Sequence, residues 1–240
     1  MKDFWNERYG AQDYAYGKAP NQGLKEFLSA QQPVQKPVTH SPQGKSILFL
    51  AEGEGRNAVY AATLGYHVVA IDYSDEGRQK TMNLAAEMGV EDLIEYFVMD
   101  LTSEDTFAWI QELAKNPKQE TQNEPNIHDG NGVPRGFIGA VFCFTHLPVD
   151  VCNSLYHACA SILDPNGWFF IEGFGKDQLQ YQSGGPKNEE LLFDEDDLRG
   201  VLEPLFEKVV VLSGNKILDE GPFHQGEGHL VTVHAHGVKQ

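Results

Sequence analysis

Two glutamates and two glycines alternate at residues 50 to 57, Leu-Ala-Glu-Gly-Glu-Gly-Arg-Asn, and an aspartate, Asp72, ends the next apolar run. Gly53 and Gly55 let a backbone approach a ligand closely, and Asp72 can accept hydrogen bonds from two ribose hydroxyls. A dinucleotide lays its pyrophosphate on the N-terminus of the following helix, where neutral or basic groups are wanted. Glu52 and Glu54 would repel such a group at low local dielectric. S-adenosylmethionine brings no phosphate; its sulfonium and ammonium, two cations beside one carboxylate, are compatible with two glutamates. The plainer alternative is that both glutamates point to solvent.

The elements that hold these residues can be read around them. The apolar run 47 to 50, a helix over 56 to 64 and a second apolar run 67 to 71 form a βαβ unit. A right-handed crossover between buried parallel strands carries the glycine loop and Asp72 to one sheet edge. Helices follow over 75 to 88, 102 to 115 and 149 to 162, with strands over 94 to 99, 137 to 144 and 168 to 172. Asp164-Pro-Asn-Gly167 reads as a turn, and 173 to 187 as a glycine-rich lid with Phe174 and Tyr181. A last helix opens at 193, and strands over 209 to 212 and 229 to 235 are joined by a connection over 215 to 228. Helices over 3 to 10 and 21 to 30 precede the unit, followed by a proline-bearing connector to residue 44. Residues 116 to 135 are a polar insertion that cannot build a core. The expected fold is α/β: a doubly wound, mostly parallel, seven-stranded Rossmann-like sheet with an antiparallel last strand. One domain spans 1–240, with a helical cap and connector over 1–45 and the core over 46–240.

Leu50 to Ala58, followed by Val69-Ala-Ile-Asp-Tyr-Ser74, resembles the first two motifs of class I S-adenosylmethionine-dependent methyltransferases, in the tellurite-resistance and thiopurine methyltransferase-like branch. Two positions depart from that pattern. Ala51 stands where the branch has a glycine, and Phe49 where it has an acid that steadies the methionine amino group; Glu52 or Glu54 is the expected replacement.

The resemblance implies a role for residues along most of the chain. Around the loop, Ala51, Glu52, Gly53, Gly55, Asn57, Asp72, Tyr73 and Ser74 would hold the cofactor. Tyr16 and Asn21 belong to an N-terminal segment, with Tyr14 and Gly17, that is similar to one covering the methyl donor. Asp100 and the Leu101 N–H would meet the adenine, although Asp100 or Thr102 also suits a helix N-cap. Cys143 and Phe144 end the strand where donor and acceptor meet. His146 and His224 are the candidate catalytic groups of the acceptor pocket, His146 as base, acceptor-binding group or pocket wall. His224 lies in Glu220-Gly-Pro-Phe-His-Gln-Gly226, which matches the branch's tail.

Composition bounds the partners. Of 240 residues, 35 are Asp or Glu and 18 Lys or Arg, a formal charge of −17. That argues against nucleic acid and anionic membrane surfaces, which need clustered cations, and favours a small-molecule acceptor. No apolar stretch is long enough to span a bilayer, the first residues are no secretory leader, and three cysteines without a CxxC pair suit a reducing compartment, so a cytoplasmic location is expected. No metal is expected: His234 and His236 share a strand face without a carboxylate or thiol at ligand spacing. Two other readings remain: a non-catalytic nucleotide-binding sensor or interaction module, and a nicotinamide oxidoreductase, which shares the βαβ unit and Asp72.

Overall fold

The computed structural model describes residues 2–31, 45–113 and 136–239. The connector and the polar insertion, with His128 and Asp129, lie outside the described residues. Strands β1 (Lys45–Leu50), β2 (His67–Asp72), β3 (Ile94–Val98) and β4 (Gly136–Cys143) are followed by β5 (Leu163–Phe174), β6 (Phe206–Asp219) and β7 (Gln225–Val238). They form one sheet in the order β3-β2-β1-β4-β5-β7-β6. The first five in that order run parallel, and β7 runs antiparallel to both of its neighbours.

Every residue of β2, and all of β1 after Lys45, is buried, as parallel strands covered on both faces require. Helices α2 (Gln22–Gln31), α3 (Arg56–Thr63) and α4 (Asp75–Met88) cover one face through Leu24, Phe27, Ala58 and Leu84. Helices α5 (Glu104–Glu112), α6 (Val149–Ala160) and α7 (Glu195–Leu202) cover the other through Ile110, Leu155 and Leu198. Helix α1 (Lys2–Tyr9) packs on α4. After β1 the chain winds outward through β2 and β3, then returns to place β4 on the other side of β1. Ligands of open α/β sheets bind at such a switch point, beyond the carboxyl ends of the strands.

Several boundaries differ from expectation for physical reasons. Ser103, whose hydroxyl accepts from Asp105 N, is the N-cap of α5, in place of Asp100 or Thr102. Asp164 to Gly167 bulges within β5, where pairing jumps from Phe137↔Leu163 to Gly139↔Trp168. The expected connection over 215 to 228 is largely ladder, paired from Asn215↔His229 to Asp219↔Gln225. Phe174 is an end-of-strand core residue with no exposure, so it is no lid side chain. His234 and His236 are half-buried against Phe27, with ring centroids 4.8 and 5.7 Å away. No helix among the described residues is long and apolar enough to cross a membrane.

Candidate active site

The loop between β1 and α3 is buried from Glu52 to Arg56. Glu52 turns back onto the helix it precedes: Oε1 accepts from Asn57 N at 3.0 Å and Ala58 N at 2.7 Å. The carboxylate therefore fills the anion position at the N-terminus of α3, where the helix end presents unsatisfied N–H groups. Oε2 makes no hydrogen bond within the described residues. Burial pushes the Glu52 carboxyl up to about 8, against the pull of the two N–H groups.

Glu54 is engaged differently. Its oxygens accept from Ala15 N and from the Lys80 ammonium, each at 2.7 Å. Neither glutamate points to solvent, and Glu54 has its own cation.

Asp72 accepts from Gly53 N and Ser74 N, both at 2.9 Å. Burial raises its carboxyl to about 6 although backbone N–H groups oppose this. Gly53 and Gly55 have φ of 66° and 86°, in the left-handed region. A Cβ on Gly53 would stand 2.8 Å from the Tyr9 hydroxyl, and one on Gly55 2.4 Å from the Thr81 side chain. The absent side chains thus make room for the protein's own α1 and α4. Ala51, in the branch's glycine position, also has a positive φ, 54°.

Residues 14 to 21 are held between this loop and the tip of the β6–β7 hairpin. Asn21 is the hub. Its N–H donates to Asn57 Oδ1 at 2.8 Å, its Oδ1 accepts from Leu24 N, and its Nδ2 donates to Glu172 at 2.8 Å and Glu220 at 3.2 Å. Glu172, fully buried at the end of β5, also takes Lys216 and Thr232, each at 2.7 Å. Glu220 pairs with Arg56 at 2.8 Å, and Arg56 donates to the Tyr16 carbonyl at 3.2 Å. Burial would raise the Glu220 carboxyl, but His224 and Arg56 hold it at about 2. The Tyr16 hydroxyl accepts from Arg8 at 3.0 Å.

On the adenine side, the Asp100 carboxylate accepts from Thr102 N and Oγ1 at 2.9 and 2.7 Å. Slight burial works against it, yet bonds from Thr102 and Tyr73 keep it below the usual carboxylate range. It therefore organises the entry to α5 and ties down Tyr73. Leu101 is a buried core residue. The Ser74 hydroxyl caps α4 by accepting from Gly77 N at 3.0 Å, and donates to Asn6 at 2.6 Å.

On the acceptor side, burial and then the nearby Glu172 and Glu52 charges push the Cys143 thiol far up, so it is no thiolate at neutral pH. Phe144 has φ 54° and places its ring 4.3 Å from that of His224. Tyr16 and Phe174 also flank His224, at 4.5 and 5.2 Å. Burial holds His224 below its ordinary value, and its Nδ1 is 3.6 Å from Glu220. His146 is different. Nδ1 donates to the Leu191 carbonyl at 2.8 Å, and Nε2 accepts from Phe174 N at 3.1 Å. With both nitrogens bonded to backbone and burial lowering its pKa to about 4, it has no lone pair for a substrate proton. Of the roles expected for His146, base, acceptor-binding group or pocket wall, these bonds suit the last, with the ring as a strut between β5 and residue 191.

Sequence reading missed Glu172, Glu220 as a charge partner, Arg56, Lys80 and Tyr9. Most of these partners are more than 25 residues apart in the chain, and no local spacing signals them. Among the described residues, no cluster of three or more metal-ligating side chains occurs.

The fold is Rossmann-like and is shared with S-adenosylmethionine-dependent methyltransferases of known structure. The chain is similar to a structure from echinomycin biosynthesis, described as converting a disulfide bond into a thioacetal group, with TM-score 0.63 and 12% identity over 99% of this chain and 93% of that one. It is similar to an S-adenosylmethionine-dependent methyltransferase from Anabaena variabilis, with TM-score 0.60 and 16% identity over 98% and 93%. TehB from Haemophilus influenzae aligns with TM-score 0.57 and 15% identity over 98% of this chain and 66% of that chain. No protein-family profile matches the chain, and no curated protein matches it in sequence. At these identities the likeness carries the fold, and the activity is argued from the site.

Proposed function

We propose that the protein transfers the methyl group of S-adenosylmethionine to a small-molecule acceptor with a soft nucleophilic atom, such as a thiol, selenium or tellurium compound. The observation that carries this reading is the Glu52 cap. A carboxyl oxygen already seated on the N–H groups of α3 leaves a dinucleotide's pyrophosphate no anion site there, and the group can ionise beside a cationic donor.

The residues fit that donor. Asp72, fixed by Gly53 and Ser74, keeps lone pairs for ribose hydroxyls, and Asn57, Tyr16 and Asn21 fix the segment that covers the loop. The bound donor supplies an electrophilic methyl on a cationic sulfur. The protein's part is to align the acceptor in line with that methyl and to exclude water, and such positioning lowers barriers by about 7–11 kcal/mol in well-oriented reactions. Phe144, Phe174 and Tyr16 make an apolar wall suited to this, and Cys143 stays neutral beside it. A soft acceptor already deprotonated in water needs no base, which accords with His146 being fully bonded. His224 is the remaining candidate for a harder acceptor.

Calorimetry with S-adenosylmethionine, its demethylated product and NAD tests the reading, followed by turnover with labelled donor against thiols, selenite, tellurite and aromatic amines. Donor binding with turnover is expected. Donor binding without turnover on any acceptor would favour the sensor, and binding of NAD alone the oxidoreductase.

A further inference from the structure

Five buried or nearly buried carboxylates surround the loop: Glu52, Glu54, Asp72, Glu172 and Glu220. Three have a cation, in the pairs Glu54 with Lys80, Glu172 with Lys216, and Glu220 with Arg56. Glu52 and Asp72 are held by backbone N–H groups alone. Of these two, Asp72 uses both oxygens, whereas Glu52 places both of its bonds on Oε1 and leaves Oε2 without one. Glu52 is 9% exposed, and that oxygen is not among the fully buried side-chain atoms left without a partner, so it stays within reach of a ligand. A carboxyl oxygen with no protein partner in so confined a place is free to meet an incoming cation or donor, and a charge-assisted contact there is stronger than one in open water.

The backbone locates Glu52: its N–H donates to the Ile71 carbonyl at 3.3 Å, and Leu50, two residues before it, pairs with Ile71 on β2 and Phe142 on β4. The titratable groups that act on it or feel it are Asp72 at the end of β2, Arg56 on α3, Cys143 at the end of β4 and Tyr96 on β3. Arg56 is already engaged by Glu220, and the other three bring no positive charge. Glu52 thus stands between the ribose-binding end of the site and the strand end where methyl and acceptor meet. We propose that Glu52 senses the charge on the ligand's sulfur: Oε1 stays on the helix cap while Oε2 faces the sulfonium, so loss of the methyl removes its countercharge and loosens the product. This rests on the methyltransferase reading above.

The sign of the pH effect follows. With its carboxyl raised to about 8 by burial, Glu52 is mostly protonated at pH 7 in the free protein. A sulfonium beside it favours the ionised form, so donor binding releases a proton, and donor affinity increases as pH rises towards 8. The neutral thioether of the product gives no such pull. Each pKa unit by which the sulfonium lowers Glu52 corresponds to about tenfold in affinity.

Titration calorimetry at pH 7, in two buffers of different ionisation enthalpy, counts the protons released with S-adenosylmethionine and with S-adenosylhomocysteine. More protons are expected with the donor, and the ratio of donor to product affinity is expected to rise about tenfold between pH 6 and 8. Glu52→Gln should abolish both the difference in proton release and the pH dependence of the ratio. Its amide oxygen can still accept from Asn57 and Ala58, so the cap survives the exchange. If that variant fails to fold, the two-ligand proton count on the native protein decides alone. Equal proton release for both ligands would overturn the inference, since it would place Glu52 on the ammonium that both share, and so would a variant that keeps the pH-dependent ratio. Failure of the native protein to bind either ligand would instead sink the methyltransferase reading itself.

Discussion

Strands β1 to β3 are 5 or 6 residues long, whereas β6 and β7 each run for 14. The short side brings its share of the site from neighbouring sequence: loop N–H groups, Glu52 and Asp72 lie within 25 residues of one another. The long side works by reach. Its hairpin extends past the sheet so that Glu220 and His224 come back over a loop more than 160 residues earlier. The first region is a local motif, and the second is a set of buried charges that must find partners across the chain.

Arg56 joins the two regions, so its removal should have the largest effect. Arg56 and Glu220 are 8% and 12% exposed, and Arg56→Met leaves a buried carboxylate without its cation. Breaking such a pair costs about 3–5 kcal/mol, or a fall of roughly 10 °C in a domain of this size. Replacing Glu220 by Leu in the same chain should recover most of that loss. Thermal unfolding of the single and double variants measures it, and a loss under about 1 kcal/mol would show that the hairpin tip is not energetically joined to the loop.

Next in size is Asp72→Ala, which probes the local side alone. It should weaken donor binding at least tenfold, about 1.4 kcal/mol. It also strands the Gly53 and Ser74 N–H groups, with a stability cost of about 1–3 kcal/mol. Titration and unfolding separate the two effects. Donor affinity unchanged in a folded variant would remove Asp72 from the site.

The same division explains what could be read in advance. The βαβ unit with Asp72 at its end, within a mostly parallel sheet, was legible because apolar runs, a glycine loop and a terminal acid lie close together in the chain. The roles of the glutamates were not. Whether Glu54 meets a ligand or Lys80 depends on α4, 26 residues on, and nothing near Glu54 signals that pairing. His146 looked chemical by its place after β4, but its two backbone partners come from residues 174 and 191. The hairpin was cut short because Asn215, Gly226 and Gly228 read as loop, although the ladder continues through them.

A third test turns on protonation. Glu52 is raised in the folded protein, so the stability it contributes is fully present below its unfolded value and is lost as pH rises through about 8. The native protein should lose about 2 kcal/mol more than Glu52→Gln between pH 6 and 8, roughly 4–8 °C in unfolding temperature. Parallel curves for the two proteins would mean that Glu52 is already ionised without a ligand, and the contrast with the cation-paired Glu54 would disappear.

The smallest effect concerns the two strand ends that meet at the switch point. Ala51 after β1 and Phe144 after β4 share φ 54°, a conformation unfavourable for side-chain-bearing residues by about 1–2 kcal/mol. Ala51→Gly relieves that strain but gives the unfolded chain more freedom, worth about 0.4–1 kcal/mol. A net gain of about 0.5 kcal/mol remains, a rise of 1–2 °C measurable by thermal unfolding. Phe144→Gly would relieve the same strain yet discard a ring packed 4.3 Å from His224 and 5.0 Å from Phe174, and burial of such a ring outweighs the strain. The two exchanges should therefore move stability in opposite directions. If Ala51→Gly destabilises instead, the methyl group of Ala51 makes contacts that outweigh its backbone strain, and the glycine usual at this position elsewhere would not be interchangeable with it here.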